Sequence, residues 1–329
     1  MLMDMLDYPK DQTDKLEVKV PEHLRYFDAL ARYQHFGRAA EACSISQPAL
    51  SLQVKELEAV FGTTLVERSA PRIRLTTVGK DFISKGRQIL LAVEELEDLM
   101  RSSKNPLSGR LRLGIIPTVA PYLLPEILLA LSERYPGLEL EVRESKTKSL
   151  IEGLSGGLLD FAVVALPISE ANLKEFALFE EEFALVRPKG DAKKKIPSPK
   201  LLQTMRLLLL EEGHCFRDQA LSVCQTSKVR PQQLMEGNSL STLVQMVGAG
   251  MGVTLIPEIG ISLEARSSDV SIARFPNPAP KRTIGMLWRT TNPLSVQLTE
   301  IGEIIRGVGQ KKRDSTGASA EQAVSDKTT

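Results

Sequence analysis

The sequence predicts an α/β multidomain protein with a helical N-terminal module, a long connecting helix and a C-terminal region of two α/β lobes. Three observations predict it. Residues 23–77 carry a dense helical apolar pattern that ends in a short basic hairpin pattern. Residues 80–103 carry one long apolar seam. From residue 110 onward, short apolar runs alternate with helix-period segments, the pattern of sheets built through crossover connections.

Composition bounds the answer. A chain of 329 residues with 42% hydrophobic and 25% charged residues is globular and of two or three domains. The net charge of +1 gives no global polyanion signal. Three cysteines cannot build a disulfide framework, so a reducing, cytoplasmic setting is expected. No apolar run approaches the ~20 residues of a membrane span, and no membrane partner is expected. The acidic, polar residues 1–19 are not a secretory signal, and residues 1–20 are expected to be a disordered extension. The stretch 309–329 is rich in Lys, Ser, Thr, Ala and Gln and lacks an aromatic residue. A disordered tail is therefore expected over 307–329.

Within residues 21–78, Leu24, Phe27, Leu30 and Ala31 recur at three and four, which predicts an amphipathic helix that Gly37 breaks. Residues 38–43 form a short second helix and Ser44-Ile45-Ser46 turns the chain. A third helix follows over 47–61, with Ser46 as N-cap, Pro48 in the tolerated first turn, and Gly62 as its stop. Leu50, Val54, Leu57 and Val60 form its apolar stripe, and Gln47, Ser51 and Lys55 project from the other side. Two short helices, a tight turn and a third helix with a polar face describe a helix-turn-helix. Glutamine can read an adenine edge, and serine and lysine can reach phosphate. Residues 65–76 then read as two short strands around a proline turn, with Arg68, Arg72 and Arg74 against Glu67. A basic hairpin directly after the third helix is a wing. Arg38, Ser46, Pro48 and Gln53 complete the candidate DNA contacts. Cys43 falls inside the bundle and is read as a core residue.

The helix over 79–104 carries Phe82, Ile89, Val93, Leu96 and Met100 at spacings of seven, four, three and four. That is a coiled-coil-like seam, and Glu94, Glu95, Glu97 and Asp98 lie on its exposed side. It predicts dimerisation, which suits a reader of two half-sites.

Residues 105–109 form a hinge, and the regulatory region runs over 107–306. Strands are expected at 110–116, 138–143 and 161–165, with helices at 123–135 and 150–154 between them. Residues 183–186 open a second unit and 283–287 form a late strand. The glycines of 248–252 follow a helix (240–247) and precede a strand (253–256). A phosphate-binding loop needs the opposite order, so this is a helix-to-strand turn.

Chemistry concentrates in residues 213–224, where Cys215 and Cys224 lie nine positions apart and His214 precedes the first. A turn at Glu212-Gly213 precedes a helical run over 218–223. If the helix reached both cysteines, they would sit two and a half turns apart on opposite faces, separated by ~13.5 Å along the axis. A disulfide needs Cα atoms within about 7 Å. Either the two never pair, or pairing forces the segment to unwind. A helix N-terminus favours a thiolate, and His214 and Arg217 stand beside Cys215. Two unrelated, partly buried cysteines are the plainer alternative.

Residues 23–103 resemble the DNA-binding domain and linker helix of LysR-type transcriptional regulators. The resemblance is carried by Phe27, Ala39-Ala40, Ser46-Gln47-Pro48-Ala49-Leu50-Ser51, Leu57-Glu58, Glu67-Arg68 and Leu75-Thr76. It implies a winged helix-turn-helix with a linker helix, followed by a two-lobed effector domain similar to periplasmic binding proteins. The segment 213–224, together with 116–119, 121–125, Thr147 and 281–285, further resembles the hydrogen-peroxide-sensing members of that family. The resemblance then extends from His23 to about Arg306.

It implies that Cys215 is the peroxidatic thiol, that Cys224 resolves it into an intramolecular disulfide, and that Thr118, Thr147, His214 and Arg282 surround the peroxide. The implied protein is a transcriptional activator of oxidative-stress genes and not an enzyme. Its implied partners are double-stranded operator DNA, hydrogen peroxide, RNA polymerase, a thiol reductant and its own copies in a homotetramer built as a dimer of dimers. No cofactor and no metal are implied. Leu52 stands where many relatives carry a polar residue or glycine, so the operator sequence does not carry over.

Three readings compete. A LysR-type regulator answering to a small metabolite between the lobes would make the cysteines incidental. A thiol peroxidase leaves the DNA-binding module unexplained. A metal sensor using His214, Cys215 and Cys224 lacks closely spaced ligand pairs.

Overall fold

The computed structural model describes residues 20–68, 73–102, 107, 109–202, 204–223, 234–264, 266 and 269–325. The extension expected over residues 1–19 and most of the hinge expected at 105–109 lie outside them. The chain divides into two compact units, residues 1–100 and 101–329.

The first unit begins with α1 (Val20–Tyr33) and α2 (Phe36–Ala42). The break between them is not at Gly37. The chain turns at Gln34, whose φ is +48°, and His35 caps α2 by accepting the Arg38 N–H at 3.3 Å. Gly37 lies inside α2, where a Cβ would stand 3.1 Å from the His35 ring.

The helix α3 (Gln47–Phe61) follows, with the Ser46 hydroxyl accepting the Ala49 N–H and Gly62 closing it in the left-handed region. Leu50, Val54 and Leu57 are buried as the stripe requires, but Val60 is exposed. Past Leu57 the helix is held instead by Glu58 at the wing and by Phe61 against Phe82, and Val60 is left on the outer side.

The wing is the antiparallel pair β1 (Val66–Glu67) and β2 (Arg74–Leu75). Its base is clamped by Glu58, whose carboxylate accepts the Leu65 and Val66 N–H groups and the Arg68 guanidinium. The wing tip, residues 69–72 with Arg72, lies outside the described residues.

The long helix α4 (Thr77–Ser102) starts earlier than its glycine suggests, because the Thr76 hydroxyl accepts the Gly79 N–H and donates to the Thr64 carbonyl. Gly79 sits where α4 presses on the wing: a Cβ there would fall 2.1 Å from the Leu65 carbonyl oxygen. Asp28 ties α4 to α1 by accepting from both Arg32 and Arg87.

The second unit opens with β3 (Gly109–Ile115), α5 (Ala120–Arg134), β4 (Leu138–Glu144), α6 (Thr147–Ser155) and β5 (Phe161–Leu166). The strands β3, β4 and β5 are parallel, as the alternation predicts. The rest is not. The strand β6 (Leu173–Pro188) runs through sixteen residues, of which the apolar pattern showed only the last third. After α7 (Pro199–Leu202) come β7 (Leu207–Leu210), α8 (Cys215–Val223), β8 (Leu234–Gly237), α9 (Leu240–Gly248), β9 (Thr254–Pro257), α10 (Ile261–Glu264), β10 (Val270–Arg274), β11 (Lys281–Arg289) and α11 (Ser295–Ser325).

The first half of β6 pairs antiparallel with β11, and its second half with β9 and β10. So β6 passes from one lobe to the other, and both sheets are mixed. Strands β7 and β8 are parallel, and β7 joins β9 through the Leu207–Val253 bridge. The glycine turn after α9 is confirmed, with Gly250 at φ +77°.

The tail expected to be disordered from residue 307 is instead the end of α11, described through Ser325. Composition missed it because the helix is anchored upstream, where Leu298, Ile301 and Ile305 are buried, and is continued past 307 by polar neighbours. Lys312 pairs with Glu126 of α5, Arg313 donates to the Glu180 carbonyl of β6, and Gly309 packs against the Phe179 ring.

Two glycines test this packing. Gly79→Ala is expected to destabilise the chain by about 1–3 kcal/mol, because a backbone carbonyl cannot yield as a side chain does. Gly307→Ala, on α11 with nothing within 4 Å of its Cβ, is expected to stabilise by up to about 1 kcal/mol. Urea unfolding of the full chain reads both.

Candidate functional site

The two units carry one candidate surface each. On the first, Arg38, Ser46, Gln47, Pro48 and Lys55 are exposed, while Ser51 and Gln53 are half-buried. Gln53 donates to Glu56 one turn on, and Arg38 to the Tyr33 carbonyl. Arg74 is exposed on the wing, and Arg68 is held by Glu58 at 3.0 Å. Leu52 is 55% exposed among these polar side chains.

On α4 the predicted seam divides. Phe82 packs inside its own unit, edge-on to Phe27 and Phe61, and is not free for a partner. Ile89 and Leu96 are exposed and Val93 is half-buried. The side chains of Met100 and of Glu94, Glu95, Glu97 and Asp98 lie outside the described ones.

In the second unit, a narrow pocket is lined by Ile116, Pro117, Thr118, Lys146, Thr147, His214, Cys215 and Phe216. The end of β3 supplies the first three, the start of α6 the next two, and the turn into α8 the rest. The pocket is a narrow, partly open seam of about 170 Å³ including the solvent at its mouth.

Four of the five predicted pocket-wall residues meet there by chain geometry. Gly213, at φ +88°, turns the chain out of β7, and Cys215 becomes the first residue of α8, half-buried and free. Thr147 is the first residue of α6, and its hydroxyl is buried without a hydrogen-bond partner.

Thr118 is buried, and its hydroxyl accepts from Arg282 at 2.9 Å while its carbonyl accepts a second guanidinium N–H at 3.1 Å. Because arginine only donates, the Thr118 hydroxyl keeps its own proton for another acceptor. The fifth residue, Arg282, does not line the pocket. It lies behind it, bonded to Glu181 at 2.8 Å and stacked 5.1 Å over the Phe216 ring. Burial pushes the Glu181 carboxyl up, while Arg282 and the Ile259 N–H pull it back toward ionisation.

One electrostatic expectation changes. Arg217 does not face the thiol. Its guanidinium is bound to the Leu210 carbonyl and to Glu236 at 2.7 Å, because a nearly buried guanidinium takes the acceptors closest to it. The His214 imidazole is biased toward its proton-accepting, uncharged form. Burial, and behind it the Lys146 ammonium, lower its imidazole below the ordinary value against a small opposing effect of Glu211. Lys146, Glu181 and Phe216 are the neighbours that sequence reasoning missed, and no motif marks them. Cys224 lies outside the described residues, as does any pairing it makes. Among the described residues no cluster of three metal-ligating side chains exists. Cys43 is half-buried at the end of α2, its thiol pushed up by burial and by Asp28.

The pocket thus sets one sulfur against two hydroxyls and an imidazole, a lining able to donate to a small molecule with oxygen acceptors. Residues 21–80 match the bacterial regulatory helix-turn-helix protein model of the lysR family, and residues 104–310 match the LysR substrate binding domain. The chain belongs to the LysR family. The first match contains every candidate DNA contact, and the second contains the whole pocket.

A probable hydrogen peroxide-inducible genes activator of Streptomyces viridosporus is 40% identical over 288 residues, covering 86% of this chain and 92% of that protein. Full-length OxyR of Pseudomonas aeruginosa, with one cysteine changed to aspartate, superposes with a TM-score of 0.72 at 35% identity, covering 87% of this chain and 94% of that one. A cysteine-to-serine mutant of Corynebacterium glutamicum OxyR with H2O2 bound gives 0.63 at 32% identity, covering 91% and 95%.

The state of His214 has a consequence for pH. Its pKa in the folded chain lies below the unfolded value, about 6.5, so the unfolded state binds more protons in that window. The stability it contributes is present above about pH 6.5 and is lost as pH falls through the folded pKa. NMR titration of the His214 imidazole should give a midpoint below about 6.5, and Cys215–Phe216 amide resonances should shift with it. An ordinary midpoint would contradict the buried geometry.

Proposed function

We propose that this LysR-family regulator senses hydrogen peroxide through Cys215 and passes the signal to promoter DNA through its helix-turn-helix unit. The observation that carries the reading is the juxtaposition of the free Cys215 thiol, at the start of α8, with the unpartnered Thr147 hydroxyl and the Thr118 hydroxyl in one pocket. The likeness to peroxide-inducible activators and to a peroxide-bound OxyR supports it.

The Cys215 thiolate attacks one peroxide oxygen. The S–O bond forms as the O–O bond breaks, and the leaving hydroxide takes a proton to become water. Thr118, Thr147 and His214 hold the peroxide, and Arg282 acts through Thr118. The Cys224 thiolate then displaces the sulfenic oxygen as a second water. Two thiols and one H2O2 become one disulfide and two waters, and a cellular thiol reductant reverses the change. Closing that bond requires the 215–224 segment to give up its helical span.

The output is binding of operator DNA by a homo-oligomer, a tetramer built as a dimer of dimers, and recruitment of RNA polymerase in the cytoplasm. Arg38, Ser46, Gln47, Pro48, Ser51, Gln53, Lys55, Arg68, Arg72 and Arg74 face the duplex, and the exposed Ile89 and Leu96 of α4 meet a second copy.

A brief, near-stoichiometric peroxide pulse on the reduced full chain, read by mass spectrometry, should yield a peptide cross-linked between Cys215 and Cys224. Cys215→Ser should abolish it. Unmodified thiols at that dose overturn the reading and leave the metabolite-responsive regulator in its place. On the DNA side, Gln47→Ala should lose about 1–3 kcal/mol of preference for the operator over random duplex. Lys55→Ala should weaken both alike and lower the salt slope by about one. Titrations at two salt concentrations separate them.

A further inference from the structure

The two walls of the pocket belong to segments far apart in the chain, and Lys146 is where they touch. One wall is the end of β3 with the start of α6. The other is the turn 211–214 with the start of α8. Among the described residues, one hydrogen bond crosses between them: the Lys146 ammonium donates to the Glu212 carbonyl at 2.7 Å. The same ammonium stands 3.9 Å from the Glu211 carboxylate. Its methylene stem lies across Gly213, where a Cβ would come within 3.2 Å of the lysine Cδ. The backbone of Lys146 is fixed as well, since its carbonyl accepts the Leu150 N–H at 3.1 Å and begins α6.

We infer that Lys146 is a positioning residue for the peroxide reaction: by gripping the Glu212 carbonyl it holds His214 and Cys215 against Thr147. This inference rests on the sensing role proposed above. The geometry assigns the work to the ammonium and not to the stem alone. The stem fills space over Gly213, which any unbranched side chain can do. The grip on a carbonyl needs a donor at the end of a four-carbon arm. The neighbouring contacts do not replace it. The His214 N–H reaches the Glu211 carbonyl at 3.4 Å, and the Glu211 N–H donates to Gly237, both inside the second wall. Without the lysine donor that wall can drift from the first, and the reacting sulfur drifts with it. The lysine charge, after burial, also lowers the His214 pKa.

The test uses the full chain in a Cys224→Ser background, so that oxidation stops at Cys215. Rates of Cys215 oxidation by H2O2 and of its alkylation by iodoacetamide are read by quenched mass spectrometry. Lys146→Met keeps the stem and removes the donor; Lys146→Arg keeps a donor. Methionine should slow the peroxide reaction by about tenfold or more, as misplacement near the ångström scale does, and leave alkylation within about twofold. Arginine should restore most of the peroxide rate.

Equal losses in both reactions overturn the inference, because the lysine would then act on thiol reactivity in general. An unchanged peroxide rate in the methionine variant overturns it too, as does arginine behaving like methionine. If the Lys146-containing protein fails to oxidise at Cys215, the sensing role itself falls and the inference with it.

Discussion

The second unit is organised around one buried ion pair. Arg282 and Glu181 lie opposite each other on β11 and β6, and both are almost wholly removed from water. Such a pair contributes little net stability, yet it is exacting, because losing either partner strands a buried charge at about 3–5 kcal/mol. Other donors and acceptors of the pair make further connections. Glu181 takes the Ile259 N–H from the second lobe. Arg282 takes both oxygens of Thr118 from the first and lies over Phe216, the neighbour of Cys215. The pocket walls are thereby referred to a single point where β6 changes lobes. The requirement that both charges be matched fixes Thr118 more tightly than packing alone could.

Against this rigid frame, α8 is lightly held. It is nine residues long, shorter than the roughly 12–15 a helix needs to stand alone. Its buried side chains are Phe216 and Ala220. Releasing it exposes Phe216 and Ala220, frees the partly buried Cys215, Leu221 and Val223 from the core, and breaks the Arg217 contacts to Leu210 and Glu236. In the proposed reaction, joining the two thiols would have to supply the free energy that undoes these contacts. The hub ties several segments to one point, whereas α8 is held by Phe216, Ala220 and Arg217.

How much of this was legible in the sequence follows from which interactions are local. The helix-turn-helix could be read because its signals sit within a turn of the feature they specify: Ser46 before α3, Gly62 after it, Leu50, Val54 and Leu57 along it. The same locality found Cys215 at a helix start after Gly213. Where partners are distant, the reading stopped. Phe82 looked like a seam residue because nothing in α4 announces Phe27 and Phe61. Arg217 looked like a neighbour of the thiol because Glu236 is far along the chain. The first half of β6 carries glutamates at 175, 180, 181 and 182, and no pattern told that Glu181 alone is buried and charged against Arg282. The tail was called disordered by composition, yet α11 is held by Glu126 and by the Glu180 carbonyl.

The first unit applies the same logic to a different end. Its parts are pinned by charges that satisfy several neighbours at once. Asp28 accepts from Arg32 and Arg87 and so joins α1 to α4. Glu58 accepts two wing N–H groups and Arg68, and so joins α3 to the wing. Arg68 thereby fixes the wing to α3 while staying exposed, and Arg74, opposite Glu67, is exposed beside it. A unit assembled this way presents α3 and the wing as one body, which is what half-site recognition asks of it. Flexibility there would spend binding free energy on ordering the wing. Under the sensing role proposed above, α8 has the opposite task, since closing a disulfide across it would have to undo the helix.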